Sequence, residues 1–116
     1  VQGAAGSSRA DGRADMSRAA ELLADELNAP VHHGFIAAID PKFHEVVAEH
    51  QPKFAATYLL AEGFFAGKMR RDAASTGLPV KVATPLVNAQ DSAAAAVVAE
   101  CFIDRMDAAI AQLDAA

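Results

Sequence analysis

Residues 57–72 read TYLLAEGFFAGKMRRD. The stretch opens on an apolar run, Thr57-Tyr58-Leu59-Leu60-Ala61, with the composition of a strand. Two glycines and two phenylalanines follow in EGFFAG, and a basic cluster, Lys68, Arg70 and Arg71, leads out of it. An apolar strand feeding a glycine loop and then a helix is the unit of an open α/β sheet. Such sheets bind their ligands beyond the carboxyl ends of parallel strands.

The same unit recurs on either side. Residues 3–12, GAAGSSRADG, form a loop by composition. A helical pattern covers 13–28, with Met16, Ala19, Ala20, Leu23 and Leu27 on one stripe and Asp11 as its N-cap. After Pro30, VHHGFIAAI is consistent with a short strand. Asp40 and Pro41 then read as the cap and first turn of a second helix. Phe43, Val46, Val47 and His50 mark its buried face, and Pro52 closes it. A strand over 55–60 precedes the loop 62–68 and a short helix that starts near Met69. Gly77 ends that helix as its C′ residue. Residues 79–83, PVKVA, make another strand. TPLVNAQ then leads to Asp91 or Ser92 as N-cap of a long alanine-rich helix reaching about Leu113. Val97, Phe102, Met106, Ile110 and Leu113 form its apolar face.

The order (β)αβαβαβα predicts an α/β fold of three layers, α/β/α, around a small parallel sheet of about four strands with right-handed crossovers. Residues 1–116 read as a single domain with no internal repeat. Val1-Gln2-Gly3 reads as the end of a strand whose body lies before Val1. A sheet this small gains from a second subunit to cover it, so size alone suggests a homodimer.

The formal charge of −5 and pI near 5.2 argue against nucleic acid or an anionic membrane surface as the partner. The single cysteine, Cys101, excludes an internal disulfide and fits a reducing compartment. No apolar run approaches the roughly 20 residues of a membrane span, and no signal peptide is visible. The expectation is a cytoplasmic protein.

Chemistry in such a fold comes from the loops 3–12, 37–40, 62–68 and 84–90. The first carries glycines, Ser7, Ser8 and Arg9 ahead of a helix, an arrangement able to hold an anion. It lacks the GxGxxG and P-loop patterns, so a plain βα turn is the favoured reading. His32 and His33 are adjacent in a strand and face opposite ways. His44 and His50, six apart, read as structural or solvent-facing. No HExxH or CxxC motif marks a metal site, and the serines lack the GxSxG setting of a hydrolase. Glu62 directly follows an apolar strand and adjoins Gly63, Phe64 and Phe65. Apolar surroundings would suit it as an acid or base, and a solvated loop-edge residue is the equal alternative. Lys68, Arg70 and Arg71 suit a carboxylate-rich ligand. Cys101 reads as a small core residue.

Four segments in order, VQGAAGSSR, GFIAAIDP, YLLAEGFFAGKMRRD and VKVATPLVNAQD, carry a resemblance that covers nearly the whole chain. The chain resembles the small sirohydrochlorin chelatases, the cobalt- or iron-inserting enzymes of cobalamin and sirohaem synthesis. Those proteins have an A-H-G-S-type first loop, a V-V-P-L-F-L-x-x-G-x-H-V-x-x-D third strand and loop, and a V-x-V-A-x-P-L-G-x-D fourth segment. The resemblance implies a chelatase-like, flavodoxin-like half-molecule that inserts a divalent metal, cobalt or iron, into a polycarboxylated tetrapyrrole. It implies no organic cofactor, and a homodimer that builds a two-lobed cleft.

Two family histidines would bind the metal or take up pyrrole protons. Here the second falls on Lys68 and the first on Gln2 or Ala5. Lysine is protonated at neutral pH and suits a substrate carboxylate better than a metal. The expected site therefore has Glu62 as base or ligand, helped by His33. Ser7, Ser8, Arg9, Lys68, Arg70 and Arg71 would bind substrate. The alternatives are a non-catalytic relative that binds a tetrapyrrole or a partner protein, and, more remotely, a nucleotide-binding module.

Overall fold

In the computed structural model, which describes residues 1–7, 9–37, 39–90 and 92–114, strands and helices alternate throughout. The elements are β1 (Gln2–Ala4), α1 (Ala10–Leu27), β2 (His33–Phe35), α2 (Phe43–His50), β3 (Phe54–Tyr58), α3 (Phe64–Ser75), β4 (Lys81–Val82) and α4 (Ser92–Asp114). The four strands form one sheet in the order β2-β1-β3-β4, and every pair is parallel. This is the doubly wound order of flavodoxin-like sheets without a fifth strand. Right-handed crossovers fix the layers. The chain leaves β1 toward β2, then returns past β1 to β3 and β4. Hence α1 lies on one face, and α2 and α3 lie together on the other.

The α2/α3 face holds the main core, Ile36, Phe43, Val47, Ala55, Met69 and Ala73, with Leu59, Leu78, Val80 and Val82 packed around it. A smaller cluster, Ala4, Met16 and Phe35, lies under α1. Two glycines permit the close approach of α2. A Cβ on Gly34 would stand 2.6 Å from the backbone Cα of Phe43, and one on Gly3 would stand 2.6 Å from Met69 Cε and 2.8 Å from Phe43 Cδ1.

Several local expectations are corrected. α1 starts at Ala10 with Arg9 as N-cap, so Asp11 sits in its first turn. α2 starts at Phe43, with Lys42 as N-cap, rather than at Asp40-Pro41. The Asp40–Pro41 peptide is cis, Phe35 N donates to Pro41 O at 2.8 Å, and Lys42 pairs with Phe35 in a parallel bridge. Extended backbone beside β2 therefore postpones the helix to Phe43. β2 is only His33–Phe35, and His50 is exposed rather than buried. The largest change is α3, which begins at Phe64 instead of near Met69. Gly63 supplies an extended N-cap, and Ala66, Met69 and Ala73 share the buried stripe, so burial carries the helix through Gly67. Asp91, one of the two proposed caps of α4, lies outside the described residues. The expected apolar face of α4 is exposed, as is Cys101.

Among the described residues no helix is long and apolar enough to cross a membrane.

Candidate functional site

At the carboxyl edge of the sheet, on the α2/α3 face, lies an open cleft of about 350 Å³. Its walls are the end of β2 and the residues after it (Phe35, Ile36, Ala37), the start of α2 (Lys42, His44) and the first two turns of α3 (Phe64, Phe65, Lys68). The fold dictates this convergence. α2 and α3 share one face, each following a strand, so both helix N-termini open on the same edge. Phe64 and Phe65 are exposed, their rings meeting edge to face at 5.6 Å between centroids. Lys68 lies one helical turn beyond them, and its Nζ donates to Asp72 Oδ2 at 2.7 Å. Lys42 is half-buried and His44 exposed.

Two cations, an imidazole and two aromatic faces around one opening suit a planar, carboxylate-bearing ligand. Lysines supply point charges for the carboxylates, the rings supply a stacking surface, and the imidazole supplies a ring nitrogen able to accept a hydrogen bond.

Of the described residues proposed from the sequence as catalytic or substrate-binding, Lys68 lines this cleft and the others do not. Glu62 is exposed and engaged by Arg70, whose Nη1 donates to its Oε2 at 3.1 Å and whose Nη2 donates to the same oxygen. Its surroundings are an ion pair in solvent rather than an apolar pocket. Reciprocally, the hydrogen bond that Arg70 donates to Glu62 holds its guanidinium above its usual range. Arg71 lies over the Phe64 ring, 6.0 Å from its centroid. Lys68, Arg70 and Arg71 thus do not form a common clamp. The spacing on a helix sends Arg70 to another face from Lys68, while Lys68 and Arg71, three apart, are neighbours.

The first loop folds back on its own helix. Ser7 Oγ accepts from Arg9 N at 3.1 Å, and Ser7 O accepts from Arg13 Nη1 at 3.2 Å. Arg9 pairs with Asp11 at 3.1 Å, both largely exposed. That pairing, with the Gly12 N–H, holds the Asp11 carboxyl below the usual carboxylate range. Ser8 lies outside the described residues. The two positions considered for the first family histidine are not equivalent. Gln2 is buried in β1, and its Nε2 donates to Met16 O on the α1 side at 3.5 Å, across the sheet from Lys68. Ala5 follows β1 at the carboxyl edge, where its carbonyl accepts from Ala37 N at 2.9 Å.

His33 is the first residue of β2. It lies near Ser17 of α1 (Nε2 to Oγ 3.5 Å) and meets Phe35 edge-on. It therefore sits at the strand's amino end on the α1 side and cannot assist at the cleft. His32 stacks on His50, with ring centroids 3.6 Å apart. Among the described residues, no group of three or more histidine, cysteine or carboxylate side chains is placed to hold a metal ion.

Lys42 and His44 are the residues that sequence reasoning missed. The signal was PKFH just past a strand end, and His44 was weighed only against His50. Comparison with family models, with curated proteins and with solved structures finds no match to this chain.

Proposed function

We propose that the chain is a tetrapyrrole chelatase-like protein, whose carboxyl-edge cleft takes the carboxylate-bearing edge of a sirohydrochlorin-type macrocycle for insertion of Co²⁺ or Fe²⁺. The observation that supports it is the grouping of Lys42, His44 and Lys68 with Phe64 and Phe65 around one opening. The cleft volume is at the low end of the roughly 300–1,000 Å³ typical of small-molecule sites. It suits one edge of the ring system, the remainder lying over the open mouth.

In this scheme Lys42 and Lys68 neutralise substrate carboxylates and Phe64 and Phe65 hold the ring plane. Metal entry displaces two pyrrole N–H protons. His44 accepts one, and water at the open mouth takes the other. Glu62, tied to Arg70, has no part in it. The net charge of −5 runs against a nucleic-acid partner, and a single cysteine suits a reducing cytoplasmic setting.

A second reading, tetrapyrrole binding without catalysis, is favoured by one fact. Among the described lining residues His44 is the only imidazole, where the resemblance implies two. Incubation with sirohydrochlorin and Co²⁺, followed by absorbance against a protein-free control, separates the two. Chelatase action predicts a rate above the control that His44→Ala lowers by about 100-fold while ligand binding persists. Binding with no rate leaves the second reading, and absence of binding sinks both.

A further inference from the structure

The two lysines of the cleft are not electrostatically equivalent. Among the described residues Lys42 makes no ion pair. Lys68 Nζ donates to Asp72 Oδ2 at 2.7 Å, and the two side chains are 37 % and 21 % exposed. The acids of the other ion pairs among the described residues are 48 % exposed or more, so solvent screens Asp72 least. The pair does little for α3 itself. At i,i+4 a helix favours the acid on the N-terminal side, and here Lys68 precedes Asp72.

Asp72 lies one turn beyond Lys68 and does not line the cleft. It takes one of the three ammonium protons from outside and leaves two for a ligand. A ligand oxygen on a second proton of that tetrahedral nitrogen, at about 2.8 Å, stands about 4.5 Å from the Asp72 oxygen. Two unit charges at about that distance in water repel enough to change an affinity about 5-fold. A doubly charged group feels the repulsion twice, about 25-fold. The lining lysines together with Asp72 thus present one net positive charge instead of two. Asp40 and Glu45, the acids nearest Lys42 in sequence, are exposed and do not line the cleft.

We propose that Asp72 is a specificity-determining residue of the cleft. It selects against doubly charged groups such as a phosphate monoester, relative to a singly charged carboxylate. The inference rests on the chelatase-like reading only in taking this cleft as the ligand site.

The test uses two matched planar probes, naphthoate and naphthyl phosphate, at about pH 8, where the phosphate carries close to two charges. Their dissociation constants are read on the full chain from the amide shifts of Phe64, Phe65 and Lys68 in an NMR titration at low salt. Asp72→Asn keeps an oxygen able to accept from Lys68, so it removes the charge and retains the contact. It is expected to tighten naphthyl phosphate by about 25-fold and naphthoate by about 5-fold. The ratio between them then moves about 5-fold toward phosphate, and both bind with a steeper salt dependence. Glu21→Gln, on α1 across the sheet, changes the net charge equally and is expected to leave the ratio alone. An unchanged ratio in Asp72→Asn overturns the proposal, as does an equal shift in Glu21→Gln. Weaker binding of both probes to Asp72→Asn also overturns it, leaving Asp72 as an anchor for Lys68. Probes that move none of the three amides in either protein overturn it as well. Sirohydrochlorin binding by the wild type judges the chelatase-like reading separately. If that binding is absent while the probes shift as expected, the reading falls and charge selection by Asp72 stands.

Discussion

Gly34→Ala tests the packing that places the cleft. Gly34 lies in the middle of β2, paired with Gly3 of β1. A methyl group there would meet Phe43 Cα at 2.6 Å, Phe43 N at 3.1 Å and Val46 Cγ2 at 3.3 Å. Carbon atoms in contact prefer about 3.5–4.0 Å, so the start of α2 must retreat by roughly 1 Å. Its nearest atoms are backbone, and no side-chain rotation relieves the clash. Overpacking of this kind costs about 3 kcal/mol, offset by about 0.7 kcal/mol from a stiffer unfolded chain. The net loss is about 2 kcal/mol, a fall in melting temperature of roughly 8 °C for a domain of this size. Gly63→Ala is the control. Nothing lies within 4 Å of its added Cβ, and its backbone is extended (φ 162°), so it should stay within about 1 kcal/mol of wild type. Thermal unfolding by circular dichroism, with urea titration to check that m is unchanged, reads both. Because Lys42 and His44 ride on the displaced segment, Gly34→Ala should also weaken tetrapyrrole binding. A Gly34→Ala protein as stable as wild type would refute the close approach of α2 to β2.

Other outcomes follow from the same geometry. Met69→Ala, at a fully buried position, should cost about 2–5 kcal/mol, and a loss below 1 kcal/mol by urea titration would contradict its place in the core. Lys42→Gln and Lys68→Gln should each weaken tetrapyrrole binding by about 5-fold and flatten its salt dependence. Arg70→Gln, on another face, should leave binding alone, and isothermal titration that found the reverse ranking would move the binding surface off the cleft. The Asp11 carboxyl, held low by the Arg9 guanidinium, titrates below its unfolded value. Its contribution is thus in place above the unfolded pKa and disappears as pH falls through the folded one. In an NMR titration Arg9→Gln should raise the midpoint, and no movement would remove the ion pair as the cause.

Local chemistry made much of the fold legible. Period-3.6 stripes such as Met16, Ala20 and Leu23, breakers such as Pro30 and Gly77, and alanine density in α4 are properties of neighbouring residues, and from them the alternation of strands and helices follows. Parallel pairing and the three layers follow in turn, because right-handed crossovers leave little choice. The boundaries that went wrong were those where a distant contact outvoted a local preference. Gly67 suggests a loop, yet Ala66, Met69 and Ala73 are buried by α2 and the sheet, and burial outweighs one glycine, which costs about 1 kcal/mol. Asp40-Pro41 suggests a helix start, yet Phe35 N takes the Pro41 carbonyl and holds the chain extended.

The candidate site was legible in one residue. Residues 57–72 did contain Lys68, Phe64 and Phe65, which form one wall of the cleft. Lys42 and His44, from the other wall, are 20 or more positions away, and no spacing rule joins them. They meet because α2 and α3 return to the same face of the sheet. The same geometry separated Glu62 from the cleft and sent Gln2 across the sheet. The sequence by itself determined the elements and their order, since these depend on period and turn chemistry. Only the tertiary structure decided which side chains share an edge and that α4 leaves its apolar stripe uncovered, since both depend on the face to which each crossover returns.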